Sequence, residues 1–165
     1  MNNENTTQLK ELIRYATLAP SSHNTQCWKF RLEDRAISIL PDLSRRCPVV
    51  DPDDHHLYVS LGCAAENLLQ AAKAQGLSGQ ITFDDSGDGA VQIALEPSPP
   101  TVTPLFEAIP HRQCTRAEYD GKPLSLEEIK LLETAGQGDG VRVLMLTERT
   151  EMETVQDYVV KENTA

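Results

Sequence analysis

The sequence predicts an α+β protein in which β-hairpins alternate with long helices. Along the 165 residues the order of elements is helix, hairpin, helix, hairpin, linker, helix, strand and helix. The hairpins show apolar residues at every second position, whereas the helical segments repeat them every three or four positions. Because hairpin strands are antiparallel, we expect an antiparallel or mixed sheet flanked by helices, not a doubly wound parallel sheet.

The first helix is indicated by apolar residues on one face. Thr6 or Thr7 can cap its N-terminus, and Pro20 ends it. The apolar face consists of Leu9, Leu12, Ile13, Ala16 and Ala19. The small polar segment 21–25 then predicts a turn, in which we expect Asn24 to take a left-handed conformation.

The first hairpin follows this turn. Trp28, Phe30 and Leu32 alternate with charged residues, which is typical of a strand with one buried face. Ile37 and Ile39 continue the alternation after a short charged segment and predict the returning strand.

Residues 51–54 predict the start of a long central helix. Asp51 can cap it, Pro52 suits the first helical position, and two further carboxylates face the positive end of the helix dipole. A broad apolar face continues to Gly76 and includes the small-residue run 62–65. Because small side chains let another backbone approach closely, we expect this helix to pack on more than one side.

A second hairpin and a linker come next. Ile81 and Phe83 predict one strand, and a second alternating strand follows an acidic turn. Segment 96–104 contains four prolines and predicts an extended linker within a single domain of residues 1–165. A short helix or turn is expected over 105–109.

The C-terminal part predicts two helices around one strand. Ser125 and Glu128 form a capping box, and Gly136 ends the helix that they open. Apolar residues at 141–146 predict a buried strand, and Thr150 opens a final helix that continues to the end of the chain. Because the pattern stops within a helix, we expect either a piece of a two-lobed protein or a chain that self-associates.

Composition and charge exclude several functional classes. Fifteen Lys and Arg against 25 Asp and Glu give a net charge of -10, which repels nucleic acids. The mean hydropathy is -0.39 and the apolar runs are short, so no membrane-spanning segment is expected. The N-terminus lacks the features of a secretory signal, which predicts a cytoplasmic protein. Four cysteines without zinc-site spacing predict free thiols and no metal site.

Common catalytic motifs are absent from the sequence. It contains no nucleophile elbow, no phosphate-binding P-loop and no zinc-protease helix motif. Cys27 and His23 are formally available as a nucleophile and base, but any polar turn offers as much. We therefore predict no catalytic residue.

Two segments are candidate ligand sites. Segment 20–28 collects hydroxyls and amides between a helix and a strand, and segment 112–116 contains two arginines. Each segment can also be a solvated turn without a ligand. Hydroxyls and amides can recognise the polar edge of a heterocycle, and two arginines can bind a phosphate. Together they suit a phosphorylated aromatic cofactor.

Three stretches resemble the nitroreductase family of flavin-dependent oxidoreductases. PSSHNTQCW, residues 20–28, resembles the family signature PSxxNxQPW. HRQCTRAEYDGKPLS, residues 111–125, is similar to the arginine-rich segment before DGxP in the Acg-like branch, in which two nitroreductase-like halves are fused. Residues 43–77 resemble the long helix of that branch and the segment before it.

The resemblance implies a set of cofactor-binding residues: Ser21, Ser22, Asn24, Arg112, Cys114 and Arg116. The serines and the asparagine would line the flavin pocket, and the arginines would hold the phosphate and the ribityl chain. The sequence departs from the family pattern at Cys114, where Ser or Thr is usual, and at Cys27, which replaces a proline. Gln26 is expected to be a structural support.

The resemblance also implies an FMN-dependent oxidoreductase. Such an enzyme takes hydride from NAD(P)H and reduces small-molecule acceptors of the nitroaromatic or quinone type. The family binds flavin at an interface between subunits or halves, which predicts a homodimer or a missing second lobe. Residues 53–75 match the dimer-forming helix. Two alternatives stay open, a protein that sequesters flavin without turnover and an oligomerisation module without flavin.

Overall fold

The computed structural model describes residues 3–163, and the chain divides into two compact units, Met1–Thr115 and Arg116–Ala165. The predicted linker 96–104 lies inside the first unit, where residues 98–103 are extended as expected. The assignment of the whole chain to one domain stays a prediction.

The first unit combines helices with one four-stranded sheet. Its elements are α1 (Asn3–Ala16), β1 (Trp28–Leu32), β2 (Ala36–Pro41), α2 (His55–Ala74), β3 (Leu77–Asp84), β4 (Ala90–Pro97) and α3 (Pro104–Ala108). Three short 3-10 turns also occur in it, at Ser22–Asn24, Leu43–Arg45 and Ile109–His111.

The sheet is antiparallel throughout, in the order β1-β2-β4-β3. The two predicted hairpins are β1–β2 and β3–β4, and β2 joins them by pairing with β4. Ile39 lies opposite Phe30 on one side and Val91 on the other, which aligns the apolar faces of three strands. The predicted α+β class is therefore confirmed.

Helix α2 crosses this sheet and forms the centre of the core. It contacts α1, α3 and strands β2, β3 and β4, so the expectation that it packs on more than one side is confirmed. Its buried residues are Leu57, Ser60, Leu61, Ala64, Ala65, Leu68, Gln70, Ala71 and Ala72. Small residues at five of these positions, four alanines and one serine, allow the neighbouring elements to approach closely.

The predicted start of α1 is wrong. The helix begins at Asn3, so Thr6 and Thr7 lie in its first turns and do not cap it. Both threonines favour a helix start by their side-chain chemistry, but a helix can also begin earlier on polar residues with weaker sequence signals.

The predicted start of α2 is also displaced. Pro52 and Asp53 lie in a turn, and the helix begins at His55 after Asp54, whose φ is 59°. The cap nevertheless comes from Asp51, as expected. Its carboxylate accepts hydrogen bonds from the backbone N–H groups of His56, at 2.9 Å, and Leu57, at 3.0 Å.

The second unit contains α4 (Leu126–Ala135) and α5 (Arg149–Asn163). The predicted capping box is present: the Glu128 N–H donates to Ser125 Oγ at 3.2 Å, and the Ser125 N–H donates to the Glu128 carboxylate at 2.7 Å. None of residues 116–162 is buried.

The predicted buried strand at 141–146 is wrong. Val141 is 59% exposed and Leu144 is 65% exposed, and the segment pairs with other described residues only through an isolated bridge between Gly138 and Val141. An apolar run of this length does not become a strand without a neighbouring strand to pair with.

None of the helices in the described part of the chain is long and apolar enough to cross a membrane.

Because α2 lies at the centre of the core, we expect that truncating its buried side chains strongly lowers the free energy of unfolding. Leu61 is fully buried on α2, so Leu61→Ala should lower the free energy of unfolding by about 2 to 5 kcal/mol. The matched control is Leu131→Ala on α4, which is 69% exposed and should change it by less than about 0.5 kcal/mol. Urea denaturation followed by circular dichroism measures both, and equal losses would contradict the assigned core.

Candidate functional site

The segment between α1 and β1 has an unusual backbone. In residues 21–26 (the serine turn), His23, Asn24 and Gln26 have φ angles of 52°, 55° and 50°. These values lie in the left-handed region, which non-glycine residues seldom adopt and asparagine tolerates best. The predicted left-handed conformation of Asn24 is therefore confirmed. Such a backbone persists only where other contacts hold it.

Hydrogen bonds within the serine turn fix its local shape. The Asn24 N–H donates to the Ser21 carbonyl at 3.0 Å, and the Thr25 N–H donates to the Ser22 carbonyl at 3.1 Å. The Ser21 hydroxyl accepts the Gln26 N–H at 2.9 Å. Ser21 therefore supports the turn itself, while the Asn24 side chain is exposed and available to a ligand.

Two bonds attach the serine turn to the rest of the unit. The Ser22 N–H donates to Ser60 Oγ on α2 at 3.1 Å. On the other side, Arg45 Nη1 donates to the Thr25 carbonyl at 3.2 Å. These bonds hold the turn against the N-terminal half of α2 and against the segment after β2.

Asp42 supports the second of these attachments. Its carboxylate accepts the Ser44 hydroxyl at 2.7 Å, lies 2.9 Å from Lys29 Nζ and lies 3.6 Å from Arg45 Nε. The hydrogen bonds from Ser44 and Lys29 lower the pKa of Asp42 to about 2. The carboxylate is therefore ionised at neutral pH and helps to position Arg45.

Arg112 lies after α3 and reaches back towards the serine turn. Its Nη2 donates to the carbonyl of Leu18, three residues before Ser21, at 3.1 Å. Its Nη1 lies 3.7 Å from Cys114 Sγ. The guanidinium is exposed, so it retains N–H groups for an anion.

Helix α2 borders both segments: Ser60 bonds the serine turn, and Glu66, Asn67 and Gln70 line the cavity beside Arg112. Burial raises the pKa of the Cys63 thiol, and the positive charge of nearby Arg112 partly opposes this shift. Ser60 and Cys63 lie three residues apart and therefore share a helix face. Ser60 contacts the turn and Cys63 lies near the guanidinium.

Five of the six predicted cofactor-binding residues lie in two segments of the first unit, which are linked through Ser60 on one side and the Leu18 carbonyl on the other: Ser21, Ser22, Asn24, Arg112 and Cys114. Arg116 is exposed and is the first residue of the second unit. Its role stays a prediction, as do the cofactor contacts of the other five.

The cavities beside these residues are small. One of about 10 Å³ adjoins Ser22, Thr25 and Cys27, and another of about 200 Å³ is lined by Leu105 and Arg112 among others. Sites for cofactors and other small molecules usually measure about 300 to 1,000 Å³. A cavity of about 390 Å³ exists in the first unit, but it shares no lining residue with this site.

The hydrogen-bonding groups of the site suit FMN, whereas the cavities beside them in the first unit are too small to enclose it. An exposed guanidinium suits a phosphate, and exposed amide and hydroxyl groups suit the polar edge of a flavin ring. The two cavities beside these residues are each smaller than a usual cofactor site.

The possible nucleophile pair is not formed. Cys27 is 1% exposed and its thiol lies 3.8 Å from the carbonyl of Leu57, while the His23 ring lies 3.1 Å from the Ser22 hydroxyl. The described residues also contain no group of three His, Cys, Asp or Glu that could hold a metal ion.

Sequence reasoning missed Ser60, Asp42 and Arg45, which hold the serine turn from outside. Of these three residues, Ser60 was the easiest to predict from the sequence, because a serine on the apolar face of a helix needs a partner for its hydroxyl. The partner itself lies 38 positions away and no local pattern identifies it.

The lowered pKa of Asp42 predicts a pH-dependent effect of its replacement. The ionised carboxylate stabilises the fold above its unfolded pKa of about 3.9, and this contribution is lost as the pH falls towards 2. Asp42→Asn should therefore lower the urea midpoint at pH 7, and the difference from the unmodified chain should shrink below pH 4. Asp85→Asn, at an exposed acidic turn, is the control and should show no such trend. If Asp42→Asn lowered the urea midpoint by the same amount at every pH, the lowered pKa of Asp42 would be contradicted.

Comparison with known proteins identifies relatives. No protein-family model matches the chain. It is 27% identical over 154 residues to proteins named "Putative NAD(P)H nitroreductase" in two strains of Mycobacterium tuberculosis, CDC 1551 and H37Rv. The match covers 89% of this chain and 44% of each relative, so the chain spans less than half the length of the relatives it matches.

Solved structures with some likeness include a nitroreductase family protein from Streptococcus pneumoniae, with a TM-score of 0.45 and 16% identity, covering 63% of this chain and 84% of that one. Another is a protein from Clostridium acetobutylicum named "Putative NADH Oxidase", with a TM-score of 0.47 and 20% identity. The match covers 72% of this chain and 90% of that protein.

The Acg-like branch stays a prediction. The sequence similarity extends over most of the chain and includes both predicted ligand segments within its length. The predicted resemblance is confirmed: over most of its length the chain is similar in sequence to two proteins that are each named "Putative NAD(P)H nitroreductase".

Proposed function

We propose that this chain binds FMN and forms part of an NAD(P)H oxidoreductase of the nitroreductase type that reduces nitroaromatic or quinone-like acceptors. The observation that carries the proposal is the hydrogen bond from Arg112 to the carbonyl of Leu18, three residues before the serine turn. The names of the relatives support the use of NAD(P)H.

Each segment has a distinct part in binding. The hydroxyl of Ser22 and the amide of Asn24 bind the polar edge of the flavin ring, on a backbone that Ser21 supports. Arg112 binds the phosphate and ribityl chain, and Cys114 lies beside Arg112. For Arg116 we propose phosphate binding from the sequence resemblance alone. When bound, FMN supplies the hydride and electron transfer, so the protein needs no general base of its own.

A second surface completes the site. The small cavities in the first unit leave a bound flavin open to water, and the chain spans 44% of its relatives. We propose that another copy of this chain, in a homodimer, or a further lobe covers the flavin and excludes water. A cytoplasmic location suits this role, because the four cysteines are free thiols and NAD(P)H is available there.

Removal of the arginines tests the binding proposal. The chain should bind added FMN, measured by quenching of flavin fluorescence, and purified protein should be yellow. Arg112→Ala and Arg116→Ala should each weaken binding by roughly 10- to 100-fold, because each removes charge-assisted hydrogen bonds to the phosphate. The double variant should bind no measurable FMN.

The control is Arg149→Ala, which removes an exposed arginine that is paired with Glu153 on α5. Like Arg112→Ala and Arg116→Ala, it removes one positive charge, but it should leave FMN affinity unchanged. Equal weakening by Arg149→Ala, or a wild-type chain that fails to bind FMN, would refute the proposed site.

Turnover is tested separately by rapid mixing of the FMN-loaded chain with NADH or NADPH without oxygen. Loss of the oxidised-flavin absorbance near 450 nm should follow with one of the two donors, and a nitroaromatic or quinone should restore it. A bound flavin that stays oxidised with both donors would contradict the oxidoreductase activity and favour a flavin-sequestering protein.

A further inference from the structure

We infer that Ser60 on α2 is the positioning residue of the flavin site: its hydroxyl sets the backbone of the serine turn that presents Ser22 and Asn24 to the cofactor. This inference rests on the proposed function, since it concerns how the proposed FMN-binding groups are held. Ser60 itself does not touch the cofactor in this scheme.

The geometry uses both hydrogen-bonding capacities of one buried hydroxyl. Ser60 is 3% exposed. Its Oγ donates to the His56 carbonyl, one helical turn earlier, at 2.7 Å and accepts the Ser22 N–H at 3.1 Å. Because the single hydroxyl proton is used on His56, a lone pair is left for Ser22, and the position of the oxygen is fixed by both partners.

The position of Ser60 is itself held by the start of α2. Asp51 accepts the N–H groups of His56 and Leu57, so the first turn of the helix is fixed on its N–H side. The His56 carbonyl then receives the Ser60 hydroxyl. The hydroxyl therefore projects from a well-supported helical turn towards the serine turn.

The backbone of the serine turn makes this bond important. The next two residues after Ser22, His23 and Asn24, both have left-handed φ angles. The bonds inside the turn fix its shape but do not attach it to the unit. The second external bond, from Arg45 to Thr25, is exposed, so Ser60 supplies the more protected attachment.

Core packing alone does not explain a serine at this position. The neighbouring buried positions on α2 carry apolar residues such as Leu57, Leu61 and Ala64. An alanine would fill nearly the same space and favour the helix more, without a hydroxyl to satisfy. An alanine would, however, leave the Ser22 N–H without the acceptor that Ser60 supplies.

Amide hydrogen exchange of the ¹⁵N-labelled full chain tests the inference without any cofactor. In Ser60→Ala, the amides of Ser22 and of the residues after it in the turn should exchange about 5- to 10-fold faster, because one hydrogen bond is lost. Amides in β2 and β4 should keep their rates. Ser60→Thr retains the hydroxyl and should exchange as the unmodified chain does.

FMN titration supplies the second readout. Ser60→Ala should weaken FMN binding by about 5- to 10-fold, and Ser60→Thr should restore it. The control is Ile93→Val, which removes one methyl group from the fully buried core. It should raise exchange throughout the sheet and leave FMN affinity within twofold of the unmodified chain.

Unchanged exchange at Ser22 in Ser60→Ala would overturn the inference, as would a folded Ser60→Thr chain that exchanges and binds like the alanine variant. Equal loss of FMN affinity in Ile93→Val would also overturn it, since the effect would then follow global stability. A wild-type chain that binds no FMN would refute the proposed function alone, because the exchange comparison still decides the role of Ser60 in the turn.

Discussion

The burial of α2 imposes the constraint on which the first unit depends. A polar side chain on a buried helix must find a partner, and three side chains of α2 bond to other segments. Ser60 accepts the Ser22 N–H, Asn67 donates to the Tyr15 carbonyl at 3.2 Å, and Gln70 accepts the Thr103 hydroxyl at 2.7 Å. The polar residues of α2 therefore fix the serine turn, the end of α1 and the end of the linker.

Both halves of the candidate site derive their positions from these bonds. Ser60 holds the serine turn directly. On the other side, Gln70 holds Thr103, whose hydroxyl accepts the Phe106 N–H at 3.1 Å and so caps α3. Arg112 follows α3 after one 3-10 turn and ends against the carbonyl of Leu18. A single helix thus orders two segments that are far apart in sequence.

The sequence predicted those features that local patterns encode. The alternation at Trp28 and Phe30 and the capping box at Ser125 each depend on neighbouring residues only. The failures share a different cause: a strand at 141–146 needs a partner strand, and the external bond of Ser60 depends on a residue 38 positions away. The small cavities beside Ser22 and Arg112 likewise depend on packing that no motif describes.

The exposure of residues 116–162 has a thermodynamic consequence. A segment whose side chains all remain in contact with water gains little from the hydrophobic effect in the single chain. Its helices then rely on local bonds such as the Arg149–Glu153 pair at 2.7 Å and on backbone propensity. On heating, α4 and α5 should lose helicity gradually and with little heat-capacity increment, beneath the sharp endotherm of the sheet-containing part.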